Sequence, residues 1–125
     1  MQALKHLDLR QNHIVHLYDD LGRCPSLTLL DMRNNKIDHL PHDLGLLTSL
    51  QELRLQHNAI LDIPQEIGSC SRLQRLEMSH NNITGPLSET FGLATSLIYI
   101  NLSYNQITAL PQSIVALVKV MYNVQ

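Results

Sequence analysis

The chain has 125 residues and a nearly balanced charge, with 9 basic and 11 acidic side chains. This balance argues against a general binder of the nucleic-acid phosphate backbone, so we expect no nucleic-acid partner. No apolar run approaches the roughly 18 residues that a membrane-spanning helix needs, and no membrane insertion is expected. The sequence enters a repeated pattern within its first residues, which leaves no room for a signal peptide and indicates a cytoplasmic, intracellular chain.

Apolar residues recur five times in one pattern, L-x-x-L-x-L-x-x-N-x-I. The first copy contains Leu4, Leu7, Leu9, Asn12 and Ile14. The later copies begin at Leu27, Leu50, Leu73 and Leu97. The period is therefore 23 residues three times and 24 residues once. Self-similarity at this period is typical of a solenoid, whose units stack because none can bury its apolar side alone.

Each copy predicts one short strand, because apolar residues two apart in L-x-x-L-x-L point to the same face. Successive strands run in the same direction one period apart, so we expect them to pair in parallel. The asparagine follows where the chain turns away from the strand, and its amide is expected to bond backbone groups that the bend leaves unpaired. Stacked asparagines would form a ladder, and replacing one by alanine would leave buried polar groups without partners, at roughly 1–3 kcal/mol each.

The return half of a repeat reads L-P-x-x-[LI]-x-x-[LC], most clearly from Leu40-Pro41, Ile63-Pro64 and Leu110-Pro111. Proline suits the start of a helical turn, and apolar residues at spacing three predict a short helix or a 3₁₀ segment. Cys24 and Cys70 occupy an apolar position of this half and are predicted to be core residues. They lie two repeats apart, on the order of 10 Å, beyond the reach of a disulfide, which favours a reducing compartment.

On these repeats the chain resembles the leucine-rich repeat family over residues 4–119. The resemblance implies an α/β solenoid, a horseshoe segment with a parallel β-sheet on the concave face and short helical or 3₁₀ turns on the convex face. We expect one domain, 1–125, as part of a longer chain, with flanking repeats or partner surfaces covering both ends. Its predicted repeats are 4–26, 27–49, 50–72, 73–96 and 97–120, followed by an incomplete repeat in 121–125.

Two local departures from the common repeat lead to separate expectations. The fourth repeat carries one extra residue in 81–87, N-N-I-T-G-P-L, and resembles the 24-residue form of plant receptor repeats. We expect this residue to make a local bulge at the edge of the solenoid. Near the end of the chain, Met121 and Val124 are predicted to begin the sixth copy.

Residues that alternate with the inward leucines point outward and define columns across the sheet. The first column is His6, Leu29, Glu52, Arg75 and Tyr99. The second column is Asp8, Asp31, Arg54, Glu77 and Asn101. The third column is Arg10, Arg33, Gln56, Ser79 and Ser103, and beside it runs a flanking column of Gln11, Asn34, His57, His80 and Tyr104. Together the four columns are termed the concave face.

The concave face is predicted to dock a protein partner of unknown identity. Neighbours in a column can interact, so Arg54 is expected to lie between Asp31 and Glu77, with Glu52 beside Arg75. Tyrosine and arginine are enriched in binding hot spots, and Tyr99 and Tyr104 are expected to lie near each other at the C-terminal end of this face. The candidate partner-binding residues are His6, Asp8, Arg10, Leu29, Asp31, Arg33, Glu52, Arg54, Gln56, His57, Arg75, Glu77, His80, Tyr99, Asn101 and Tyr104.

No catalytic, cofactor or metal site is predicted. The serines and cysteines lack a glycine elbow or a helix start that would activate a nucleophile. His16, His39 and Asp62 share one register, and His57 and His80 share another. Such columns present their groups side by side, whereas zinc requires about four ligands converging on one point.

The resemblance extends to intracellular Ras-group and Scribble-like leucine-rich repeat proteins, which implies a non-catalytic scaffold in signalling. Two alternatives stay open: the recognition domain of a larger enzyme (a kinase, a phosphatase or a ubiquitin ligase) and a structural component of a cytoskeletal or ciliary assembly. A third, an extracellular receptor ectodomain, is disfavoured by the two thiols that are predicted to be buried.

Overall fold

A computed structural model describes residues 3–17, 19–87, 89, 96–109 and 121–123. The strands are β1 (His6–Asp8), β2 (Leu29–Asp31), β3 (Glu52–Arg54), β4 (Arg75–Glu77), β5 (Thr84–Pro86), β6 (Tyr99–Asn101), β7 (Gln106–Ala109) and β8 (Met121–Asn123). Three 3₁₀ segments lie between the early strands, at Asp19–Arg23, His42–Leu46 and Gln65–Ser69.

Strands β1, β2, β3, β4, β6 and β8 form one parallel sheet in that order. The sequence period sets the register, because Leu7 pairs with Leu30, Leu30 with Leu53, and so on through Leu76 and Ile100. From the second repeat on, these inward side chains are at most 1% exposed. The predicted solenoid, with its parallel sheet and short convex turns, is confirmed.

The apolar positions of successive repeats stack into one continuous core. Leu27, Leu50, Leu73 and Leu97, which open the repeats, are all fully buried. Cys24 and Cys70 are free and buried, as the pattern predicts. Burial raises the pKa of the Cys70 thiol to about 11, so this side chain is a neutral core group at neutral pH.

The return halves form 3₁₀ turns rather than α-helices. Leu44 N–H donates to the Pro41 carbonyl at 3.2 Å, and Ile67 N–H donates to the Pro64 carbonyl at 3.1 Å. Each bond spans three residues, the 3₁₀ spacing, and both prolines lie in extended backbone just before the turn. The third predicted copy, at Leu110-Pro111, lies outside the described residues.

The predicted asparagine ladder is present and joins neighbouring repeats. In Asn81, Nδ2 donates to the carbonyls of Leu55 and Met78 at 3.0 Å, and Oδ1 accepts the Ile60 N–H at 3.1 Å. Asn35, Asn58 and Asn105 repeat this arrangement. Each asparagine amide therefore hydrogen-bonds backbone groups at the bend of its own repeat and in the repeat that precedes it.

The fourth repeat takes part in a second sheet that the sequence analysis does not foresee. Strands β5 and β7 pair in parallel, with a register shift between Gly85 and Pro86 that passes over Thr108. The unpaired residue is therefore on β7 of the fifth repeat, so the expectation that the extra residue of 81–87 makes the bulge is wrong for the paired residues Thr84–Pro86. Gly85 has φ +75°, a left-handed backbone conformation that glycine adopts at little cost.

Strand β8, which pairs with β6, shows that the predicted register of the incomplete sixth repeat is wrong. Met121 pairs with Tyr99 and Tyr122 pairs with Ile100. A copy that opened at Met121 would instead align this residue with Leu97. The spacing along the chain from β6 to β8 is thus two residues shorter than predicted. Val124 lies outside the described residues.

Candidate protein-docking face

The strand registers place the first and second columns side by side across the sheet. His6 is paired with Leu29, Leu29 with Glu52, and the pairing continues in the same way to Tyr99. The second column follows the same registers from Asp8 to Asn101. Five parallel strands therefore present one continuous surface, with neighbouring backbones about 4.8 Å apart.

Asp31 is the most deeply buried charged residue of the concave face, at 3% exposure. Arg33 donates to both of its carboxylate oxygens at 2.9 Å through Nε and Nη2, and Arg54 Nη1 lies 3.5 Å from Oδ2. Burial alone would raise the pKa of Asp31. The bonds from Arg33 and the attraction of both guanidinium groups outweigh this effect and hold the pKa below its ordinary value. Asp31 is thus a covered anchor for two arginines rather than an open contact residue.

We expect Asp31→Asn to destabilise the protein by roughly 1.5–3 kcal/mol at pH 7, because charge-assisted bonds are lost. The folded pKa lies below the ordinary 3.8, so ionised Asp31 stabilises the fold above that value. This stabilisation is lost as pH falls through the folded pKa. Urea unfolding from pH 7 to pH 2 should therefore show the difference between wild type and variant shrinking below about pH 4.

The matched control is Asp8→Asn, which removes the same charge from an exposed pair with Arg10 at 3.2 Å. Exposed pairs are worth about 0–1 kcal/mol, so the control should change stability little. An Asp31→Asn difference that stays constant or grows on acidification would contradict the assigned direction of the pKa shift.

Arg54 makes a different set of contacts from the predicted one. It bonds Glu52 on its own strand through Nε, and it reaches Asp31 across the sheet, but it forms no ion pair with Glu77. Both Glu52, two residues earlier on the same strand, and Glu77, in register on the next strand, are neighbours of Arg54. The Arg54 side chain forms its ion pairs with Glu52 and Asp31. The expected pairing of Glu52 with Arg75 is present at 3.9 Å.

Glu77 and Gln56 are left with unsatisfied oxygens. Oε1 of Glu77 and Oε1 of Gln56 are covered from solvent and accept no hydrogen bond in the described structure. Both residues line an open depression in the middle of the concave face. The lining residues are Arg33, Glu52, Arg54, Gln56, Arg75 and Glu77. Covered acceptors without donors are unfavourable, so these two mark the least satisfied part of the face.

A second depression lies at the start of the strands and combines charge with apolar surface. The Arg75 guanidinium carbon lies 4.0 Å from the centre of the Tyr99 ring, in a cation–π arrangement. His6, Leu29 and Ile98 line the same depression, and Ile98 is 53% exposed. This region offers aromatic, aliphatic and cationic contacts together.

The flanking column contains a stack of three rings that the sequence analysis does not predict. The His57 and His80 ring centres lie 4.3 Å apart, and the His80 and Tyr104 ring centres lie 4.2 Å apart, with interplanar angles of 12° and 10°. All five members of this column have φ between +57° and +61°. The N–H groups of His57 and His80 donate to the carbonyls of Ser79 and Ser103 in the next repeat, which holds this backbone. The shared register after each strand is the signal that could have revealed it.

Tyr99 and Tyr104 engage separate partners. Tyr99 contacts Arg75 at the start of the strands, whereas Tyr104 stacks on His80 beyond their ends. The two tyrosines thus belong to different parts of the concave face, although they were predicted to lie near each other, and no described contact joins them.

Several polar residues of the second column bond the backbone at the end of their strand. The side-chain oxygens of Asp8, Asp31 and Asn101 accept the N–H of the residue two positions later, at 3.1–3.3 Å. Asn101 also accepts the Ser103 hydroxyl, and Ser103 is buried. These side chains therefore shape the face as well as lining it.

His16, His39 and His42 each lie beside a carboxylate. Nδ1 of His39 and Nδ1 of His16 lie 3.2 and 3.6 Å from Asp38, and His42 lies 3.2 Å from Glu66. In the described part of the chain, no group of three or more His, Cys, Asp or Glu side chains is arranged to hold a metal ion. No helix among the described residues is long and apolar enough to cross a membrane.

Family models agree with the repeat architecture. The model described as leucine rich repeat matches residues 2–60 and 71–122, and a two-copy leucine rich repeats model matches residues 48–90. These matches cover more than half of the chain. No curated protein sequence matches it significantly.

Solved structures similar to this chain include proteins of bacteria and of a plant. A leucine-rich repeat protein of Leptospira interrogans is 30% identical over 99% of this chain and 33% of that one, with a TM-score of 0.92. Internalin C2 of Listeria monocytogenes is 25% identical over 99% of this chain and 53% of that one, with a TM-score of 0.86. A third similar structure is the ectodomain of the Arabidopsis thaliana receptor kinase GASSHO1/SCHENGEN3, in complex with CASPARIAN STRIP INTEGRITY FACTOR 2. It is 29% identical over 97% of this chain and 18% of that one, with a TM-score of 0.74. The chain therefore spans about half or less of each of these proteins.

Proposed function

This chain belongs to the leucine-rich repeat family, and we propose that it is a non-catalytic scaffold that binds a protein partner on its concave face. The leucine-rich repeat fold is a common protein–protein interaction module. The main support is the composition of the continuous sheet surface, where exposed rings lie beside an arginine-rich network. Tyrosine and arginine are the residue types most enriched among binding hot spots.

The sixteen predicted residues do not contribute equally to this proposal. Asp31 and Asn101 are engaged in bonds with other residues of the concave face, so we assign them a supporting role. Arg75, Tyr99 and Tyr104 are open to solvent at least in part and present large side chains to a partner. We therefore propose these three as the principal contacts and the remaining predicted residues as their surroundings.

We propose the same domain organisation that the repeats predict, a single repeat domain within a longer protein in a signalling scaffold of the cytoplasm. The Ras-group and Scribble-like subtype is part of this proposal. A complete transcript that placed a signal sequence before the repeats would contradict the cytoplasmic location.

A recognition domain of a larger enzyme is the alternative, together with a structural role in a cytoskeletal or ciliary assembly. The enzyme alternative is favoured by the similarity to the ectodomain of a receptor kinase. A catalytic domain in the complete transcript would support it. Partner binding by the concave face is common to these possibilities.

Affinity capture followed by quantitative mass spectrometry tests the proposal. We expect Arg75→Ala/Tyr99→Ala/Tyr104→Ala to lose on the order of tenfold or more of the captured partner, because hot-spot truncations each cost at least about 1–2 kcal/mol. The matched control is Arg23→Ala/Leu46→Ala/Gln65→Ala, which removes three exposed side chains from the convex 3₁₀ turns. Unchanged capture by the concave variant, with loss in the convex control, would place the binding surface on the other side.

A further inference from the structure

We propose that the partner contributes a lysine or arginine side chain that binds between Gln56 and Glu77 on the concave face. This inference rests on the proposed function, because it names the chemistry of the partner at that surface. The occupant is a basic segment of a protein.

The distribution of ion pairs on the face is the first argument. Each arginine of the columns already has an acidic partner within the face: Arg10 has Asp8, Arg33 has Asp31, Arg54 has Glu52 and Asp31, and Arg75 has Glu52. Among the described residues of the face, Glu77 is the acid without a cation. The concave face therefore has one carboxylate that could pair with a cation of a partner. It has no unpaired arginine that could pair with an anion.

The unsatisfied acceptors are the second argument. The covered Oε1 atoms of Gln56 and Glu77 have no hydrogen-bond donor among the described residues. A covered acceptor without a donor is costly, and bonds to a charged group are worth more than neutral ones. An ammonium or guanidinium group provides only donors, so it can satisfy both oxygens at once. Binding requires each side chain to turn its oxygen toward the depression that both residues line.

The surroundings of the depression favour a cation over an anion. Arg33, Arg54 and Arg75 line it, and each of them already forms an ion pair with Asp31 or Glu52. An incoming carboxylate would compete with these acids for the arginines and would bring a further negative charge beside Glu77. An incoming basic group can pair with Glu77 and leave the existing ion pairs in place.

The experiment uses a phage-displayed library of random twelve-residue peptides, selected on the immobilised wild-type chain. Peptides bound to the concave face are those whose binding is lost with Arg75→Ala/Tyr99→Ala/Tyr104→Ala. Each is then resynthesised with its lysine or arginine replaced by norleucine, and both forms are titrated against wild type and Glu77→Gln. The control variant is Asp62→Asn, which removes an equal charge from an exposed acid outside the face. Melting curves verify that each variant is folded.

We expect the basic form to bind wild type on the order of tenfold more tightly than its norleucine analogue, with this preference lost in Glu77→Gln and kept in Asp62→Asn. Concave-face peptides that bind without such coupling, or that are enriched in acidic residues, would overturn the inference and leave the proposed function standing. If no selected peptide is sensitive to the concave triple change, both the inference and the proposed docking face fail.

Discussion

Asn81→Ala should lower the free energy of unfolding by about 2–4 kcal/mol. The change leaves the Ile60 N–H without the acceptor that Asn81 Oδ1 provides at 3.1 Å. The carbonyls of Leu55 and Met78 keep one asparagine donor each, from Asn58 and Asn105. The expected loss is therefore one orphaned buried donor plus the net contribution of the bonds that disappear. Urea unfolding followed by circular dichroism measures it.

Asn82→Ala is the control for this prediction, because it makes the same chemical change one residue away. Asn82 is exposed, and only its backbone N–H bonds to the preceding repeat, at 2.9 Å from the Ile60 carbonyl. Its replacement should change stability by no more than about 0.5 kcal/mol. Equal losses for Asn81 and Asn82 would mean that the ladder does not hold the repeats together.

Leu53→Ala should destabilise the protein by about 2–5 kcal/mol, the range for deleting a fully buried leucine. Leu53 is 0% exposed and lies on β3, between Leu30 and Leu76 on the paired strands. Neighbours on both sides are fixed by the sheet, so the cavity can collapse only slightly. The same urea unfolding experiment provides the measurement.

The first repeat offers an internal comparison for the core prediction. Leu7 occupies the equivalent position on β1 but is only partly buried, because no described strand pairs with β1 on its other side. Leu7→Ala should therefore cost clearly less than Leu53→Ala, and Leu46→Ala, at a side chain 61% exposed, should cost least. Equal costs at positions 7 and 53 would contradict the one-dimensional stacking of the repeats.

The fold could be predicted from the sequence because the repeat constrains it at several levels. The spacing of Leu30, Leu53 and Leu76 fixes which residues face inward, and the nearly constant period fixes the register of neighbouring strands. The recurring asparagine then has one place to bond. The register of the last copy was predicted wrongly because fewer residues than expected separate it from the fifth repeat. Met121 therefore lies opposite Tyr99 rather than Leu97.

The identity of the outward residues could also be predicted, but their arrangement could not. Alternation shows that Asp31 points away from the core, yet Arg33 and Arg54 cover it. The sequence places Arg54 within reach of several acids, and only side-chain geometry selects among them. The ring stack depends on a left-handed backbone at His57 and its equivalents, and no glycine marks that conformation in the sequence.

The central claim is that one side of the solenoid binds a protein. Hydroxyl-radical footprinting of the chain, alone and with its captured partner, tests it most directly, since aromatic, histidine and leucine side chains react when exposed. We predict that Tyr104, His57 and His80 lose reactivity in the complex while exposed Leu46 on the convex turn keeps it. Protection of Leu46 with unchanged reactivity of the ring stack would contradict the claim.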